Sequence, residues 1–76
     1  MNVVEAEGMA RRYIKKRYSN RKIKILIKET SRGHDSWLVK GEIHLRKALI
    51  FTDKRRFNIR LNSKTGEVTY YKEIKT

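Results

Sequence analysis

Cysteine, proline and glutamine are absent from this chain of 76 residues. Without cysteine there is no disulfide, no thiolate metal site and no cysteine nucleophile. A chain this short is one domain, residues 1–76, and must hold its fold with one modest core or with the help of a partner subunit. No apolar run approaches the length of a membrane-spanning helix. The first ten residues carry Glu5 and Glu7 and lack the basic and apolar regions of a secretory signal, so a cytoplasmic protein is expected. The scarcity of thermolabile side chains beside many charges matches a thermophile's composition, although the missing proline runs the other way.

Acidic residues are also scarce. Lys and Arg number 20 against 8 Asp and Glu, a formal net charge of +12. The stretch from Arg11 to Lys28 holds nine of those bases and no acid. Charge of this size repels itself and works against compactness. A polyanionic partner is the simplest physical reason to keep it, and nucleic acid is the first candidate.

The apolar residues recur at regular periods. Asn2 to Tyr18 reads as a helix: Asn2 caps it, Glu5 completes a capping box, and Val3, Ala6, Ala10, Tyr13 and Ile14 form one stripe. Met9 and Tyr18 flank that stripe, and Ser19 and Asn20 mark the stop. Ile23 to Thr30 alternates as a strand, with Ile23, Ile25 and Ile27 opposite Lys24, Leu26 and Lys28. A polar turn over Ser31 to Asp35 leads to a second strand, Trp37 to Leu45. There Trp37, Val39, Ile43 and Leu45 share a face, and Leu38, Lys40, Glu42 and His44 share the other. Ala48 to Arg55 is ambiguous between more sheet and a short buried connection, with Asp53, Lys54, Arg55 and Arg56 expected to be exposed. Phe57, Ile59 and Leu61 then alternate with Arg56, Asn58 and Arg60. Asn62 to Gly66 is a hairpin connection, with Gly66 supplying a positive φ. Glu67 to Ile74 pairs back, with Val68, Tyr70 and Lys72 on one face and Thr69, Tyr71 and Glu73 on the other.

One helix followed by four successive strands predicts an α+β fold, in which an N-terminal helix packs on one face of a four-stranded antiparallel sheet. Trp37 is expected in the core under the helix, near Ala10 or Ile14. The order of elements, with Trp37-Leu38-Val39, Arg56-Phe57-Asn58-Ile59-Arg60-Leu61 and Lys64-Thr65-Gly66-Glu67-Val68, resembles a PepSY-type or cystatin-like small α+β domain. The resemblance implies the fold alone.

Two basic surfaces follow from this arrangement. Arg11, Arg12, Lys15, Lys16, Arg17, Arg21 and Lys22 form a ridge along the helix and the turn after it. Lys24, Lys28, Lys40, Arg56 and Arg60 form a second across the uncovered sheet face, with Leu26, Leu38, His44, Asn58 and Tyr71 among them. Tyr71 is the stacking candidate of that face, since a ring among cations is how many single-strand binders work. The run Lys54-Arg55-Arg56 reads as a phosphate clamp, a solvated turn or a charge-protected edge.

Catalytic and metal signatures are missing. His34 and His44 have no ligand partner at familiar spacing, and no glycine-rich phosphate loop or dinucleotide fingerprint occurs. Neither an enzyme, a cofactor nor a small-molecule substrate is expected. The expected function is binding of DNA or RNA through phosphate contacts with little sequence preference. The alternative is a protein-interaction or inhibitory module, whose sheet face docks an acidic protein or a second copy in a homodimer.

Overall fold

Asn2 opens the helix through a reciprocal capping box. Its Oδ1 accepts from the Glu5 N–H at 2.9 Å, and the Glu5 carboxylate accepts from the Asn2 N–H at 3.0 Å. Two donors that no helical carbonyl can reach are thereby satisfied. In the computed structural model, which describes residues 1–19, 21–47 and 50–75, helix α1 spans Val3–Arg17. Tyr18 caps its end, with its N–H donating to the Ile14 and Lys15 carbonyls at 3.2 Å each. Of the expected stop, Ser19 follows the cap and Asn20 lies outside the described residues.

The buried line of α1 is Ala6, Ala10, Ile14 and Tyr18. Val3, expected in the stripe, is 46% exposed. The reason is geometric: the buried residues recur every four positions, and that line extends back to Asn2 rather than Val3. Two alanines in it let the helix backbone lie close to the sheet.

Four strands follow: β1 (Ile23–Arg32), β2 (Ser36–Lys47), β3 (Ile50–Asn62) and β4 (Val68–Lys75). They form one sheet in the order β1-β2-β3-β4, each pair antiparallel. The chain is therefore α+β, with one helix on one face of a four-stranded antiparallel sheet. The covered face contributes Ile25, Trp37, Val39, Ile43, Leu45, Phe57, Ile59 and Leu61, all buried with the helix line. α1 runs antiparallel to β1. In its first half Thr30 Oγ1 donates to the Glu7 carboxylate at 2.7 Å, and one turn further on Arg11 Nη1 donates to the Ile25 carbonyl at 3.1 Å.

The ambiguous segment resolves largely as strand, since Ile50 to Arg55 belongs to β3. Ala48 and Leu49 lie outside the described residues. Because β3 is continuous, the alternation of Phe57, Ile59 and Leu61 extends back through Arg55 to Asp53. Both fall on the covered face rather than in solvent: Asp53 is buried and Arg55 is half-buried.

Two glycines are demanded by the backbone. Gly66 has φ 77° and closes the β3–β4 connection by donating its N–H to the Asn62 carbonyl at 2.8 Å. At Gly41 a Cβ would stand 2.1 Å from the Leu26 carbonyl oxygen of β1. The next position on β1 past that approach is a bulge, between the Ile27–Gly41 and Glu29–Lys40 pairs.

Trp37 is buried, as expected, within the core cluster. It pairs with Arg32, just beyond Thr30, toward the end of the sheet where α1 begins. Its Nε1 has no hydrogen-bond partner among the described residues, so packing holds the ring, with the Arg32 guanidinium 5.7 Å from its centroid. Trp37→Ala is expected to cost about 3–5 kcal/mol in denaturant unfolding, as a large buried side chain is lost. Gly41→Ala is expected to cost about 1–3 kcal/mol through overpacking against β1. Wild-type tryptophan emission at the water-exposed wavelength, or a Gly41→Ala unfolding midpoint equal to wild type, would contradict this core.

Candidate nucleic-acid interface

Strand pairing fixes what the uncovered face presents. Directly opposed residues share a face, so the pairing can be followed across all four strands. One row is Ser31, Leu38, Arg60 and Tyr70; the next is Glu29, Lys40, Asn58 and Lys72. Then come Leu26, Glu42, Arg56 and Ile74, and finally Lys24, His44 and Lys54. Six bases of these rows thus stand on this face against Glu29 and Glu42. Lys28, the extra residue of the β1 bulge, lines a depression of about 390 Å³ with Lys40, Glu42, Arg56, Asn58 and Ile74. No described element packs over the face.

Glu42 does not neutralise its neighbours freely. His44 Nε2 lies 3.0 Å from its carboxylate. That hydrogen bond, with Lys28 and Lys54 nearby, holds the Glu42 pKa below its usual value.

Tyr71 requires a correction. It was expected among the cations of the open face, and it lies on the covered one. The cause is a second bulge: Arg60 pairs with Tyr70 but Leu61 pairs with Val68, leaving Thr69 as the extra residue. One extra residue reverses the facing of everything after it. The Tyr71 ring instead packs against Tyr13, centroids 5.1 Å apart, with the Arg17 guanidinium 4.7 Å from its centroid. Tyr70 takes the open position, 44% exposed, with the Arg60 guanidinium 5.6 Å from its ring. Sequence alternation missed Tyr70, Lys72 and Lys54 as members of this face. The one signal for Tyr70 was its adjacency to Tyr71, which makes one of the pair face outward whatever the parity.

The helix ridge divides. Arg12, Lys15 and Lys16 are exposed along the outer side of α1, and Arg21 and Lys22 are exposed in the turn after it. Arg11 also projects from the surface but is committed to the Ile25 carbonyl. Arg17 is committed to Tyr71 and, at 3.8 Å, to Glu73. Lys24, Lys28, Lys40, Arg56 and Arg60 stay together on the sheet side, as expected. The molecule measures 41 × 21 × 18 Å, and its helix and its open sheet face look in opposite directions. A short ligand meets one surface or the other.

At the end of the helix the covered face becomes polar. Glu73 gathers three donors: Tyr18 Oη at 2.5 Å, Arg55 Nη1 at 3.4 Å and the Tyr71 hydroxyl. Tyr18 in turn accepts from Arg55 Nη1 at 3.0 Å, and Arg55 Nη2 lies 3.7 Å from Asp53. Burial pushes the Glu73 pKa up, but the hydrogen bonds from Tyr18, Tyr71 and Arg55 outweigh it and leave the carboxyl below its usual range. Burial first, and donation to Glu73 second, raise the Tyr18 and Tyr71 pKa values. This cluster joins α1, β3 and β4, and Arg55 is part of it rather than of a phosphate clamp.

Among the described residues, no group of three His, Cys, Asp or Glu side chains could hold a metal ion. No helix among them is long and apolar enough to cross a membrane. No protein-family model, curated protein or solved structure matches the chain.

The Glu73 cluster generates a pH dependence. A carboxyl whose folded pKa is depressed contributes stability that is complete above its unfolded pKa, and this is lost as pH falls through the lower folded value. Wild type should therefore lose stability on acidification below about pH 4. Glu73→Gln should be about 1–3 kcal/mol less stable at neutral pH, and its acid limb should be flatter. Parallel melting temperatures for the two proteins from pH 7 to pH 3 would show that the cluster does not bind the elements together.

Proposed function

We propose that the protein binds nucleic acid through phosphate contacts on the uncovered sheet face, with little preference for sequence. One observation carries the reading: seven Lys and Arg side chains, six in the paired rows and Lys28 at the bulge, share that face with only two carboxylates, and no described element covers it. Chain phosphates need a continuous field of cations rather than one deep site. Arg56 and Arg60 stand on β3, an interior strand of the sheet, so the field is centred rather than confined to an edge. Asn58 and Asn62 alternate with Arg56 and Arg60 along this face of β3, but Asn62 Oδ1 is taken by the Lys64 and Thr65 N–H groups of its own turn, which leaves the single amide of Asn58 for base edges.

The helix ridge is the weaker site. Arg11 and Arg17 are engaged within the molecule, which leaves Arg12, Lys15 and Lys16 as the exposed bases of α1. The interaction-module alternative retains one supporting observation, the exposed Ile74 and Tyr70 on the same face. Docking of that face onto a second copy would oppose seven cations with seven, which like-charge repulsion resists. An acidic protein partner does not meet that objection.

Fluorescence anisotropy with labelled oligonucleotides over a range of salt tests the proposal. Each phosphate contact contributes roughly −0.7 to the log–log salt slope on single strands and −0.9 on duplex. Arg56→Ala/Arg60→Ala should lower the magnitude of the slope by about one to two units, whereas Arg12→Ala/Lys16→Ala should leave it unchanged. Equal effects of the two double variants would reduce the binding to net charge alone and return the sheet face to the interaction-module reading.

A further inference from the structure

We infer that the ligand of the open face is a single strand, with bases seated on the β4 side against Tyr70 and Ile74 and phosphates following β3. This deepens the nucleic-acid reading and rests on it. The face is cationic, yet two of the largest exposed apolar side chains of the molecule lie on it, Tyr70 at 44% and Ile74 at 39%. A purely phosphate-binding surface has no use for them. A duplex presents phosphates and groove edges, with its base faces already stacked on one another. A single strand presents phosphates on one side and bare base faces on the other, which is the chemistry of this face.

The two kinds of group are ordered. Arg60 stands directly across from Tyr70, and Arg56 directly across from Ile74. Each of these two arginines on β3 therefore has an apolar seat beside it on β4. The two rows are four residues apart along the strand, about 14 Å, and between them lies the row of Asn58 and Lys72. A strand running along β3 would step from Arg60 to Arg56 in about two nucleotides, giving a site on the order of four nucleotides. The Arg60 guanidinium, 5.6 Å from the Tyr70 ring centroid, holds the ring beside the path. β4 is an edge strand, so a base leaving the phosphate track meets no further strand and has room to lie on the ring.

Stacking of a base on the ring, rather than any polar role of the hydroxyl, is the physical claim. Tyr70→Ala should weaken binding of a short single strand by about five- to a hundredfold, and Tyr70→Phe should restore it. Duplex affinity should not change. DNA and RNA strands of equal length are run side by side to separate the two sources of the same chemistry. A strand carrying the fluorescent base 2-aminopurine gives a readout that charge alone does not move: its emission should fall on binding to wild type and Tyr70→Phe, and not to Tyr70→Ala. Tryptophan emission from buried Trp37 checks that each variant is folded.

The outcomes are distinguishable. Single strands bound more tightly than duplex, with loss in Tyr70→Ala and rescue in Tyr70→Phe, support the inference. Equal binding of duplex and single strand, with Tyr70→Ala unaffected, overturns it and leaves the face as a general phosphate surface. No binding of any nucleic acid at low salt overturns both the inference and the function on which it rests.

Discussion

A single helix can cover only one face of a four-stranded sheet, and the rest of this structure is arranged around that constraint. The line Ala6, Ala10, Ile14 and Tyr18 meets Val39, Ile43, Phe57, Ile59 and their neighbours, and in doing so uses most of the chain's large apolar side chains. Among the described residues no second layer covers the other side. That side is left to water or to a partner, and it is where most of the lysines and arginines of the strands collect.

The acids are distributed to match. Glu5 caps the helix, Glu7 accepts from Thr30, and Asp53 and Glu73 sit among arginine and tyrosine at the helix end. Asp35 and Glu67 lie in the connections between strands. Only Glu29 and Glu42 reach the open face. Arg11, Arg17 and Arg55 are likewise drawn into internal contacts. The excess positive charge is therefore not spread evenly. The contacts that hold the fold absorb acids in preference to bases and leave the sheet face strongly cationic, a state whose self-repulsion a polyanion relieves.

The helix was legible because its signals are local: Asn2 and Glu5 fix the start, and the four-residue spacing of alanines and Ile14 fixes the buried side. The alternation of Trp37 to Leu45 and of Phe57 to Leu61 was equally plain. What sequence could not yield was the facing of residues beyond a bulge. Thr69 contributes one unpaired residue, and the assignments of Tyr70 and Tyr71 exchange as a result. The open-face cations Lys24, Lys40, Arg56 and Arg60 survived because each lies in a stretch of unbroken alternation with buried neighbours. Arg55 and Asp53 failed for a different reason. Charged residues beside an uncertain segment look like a solvated turn, and only a continuous β3 reveals that they face the helix end, where Tyr18 and Glu73 supply their partners.

The central claim is that nucleic acid lies on the sheet rather than on the helix. Amide chemical-shift mapping during titration with a short oligonucleotide tests it most directly. The account predicts the largest shifts at Lys40, Arg56, Asn58, Arg60, Tyr70 and Lys72, with Arg12, Lys15 and Lys16 nearly unmoved. Shifts concentrated along the outer side of α1, with β3 and β4 silent, would contradict it.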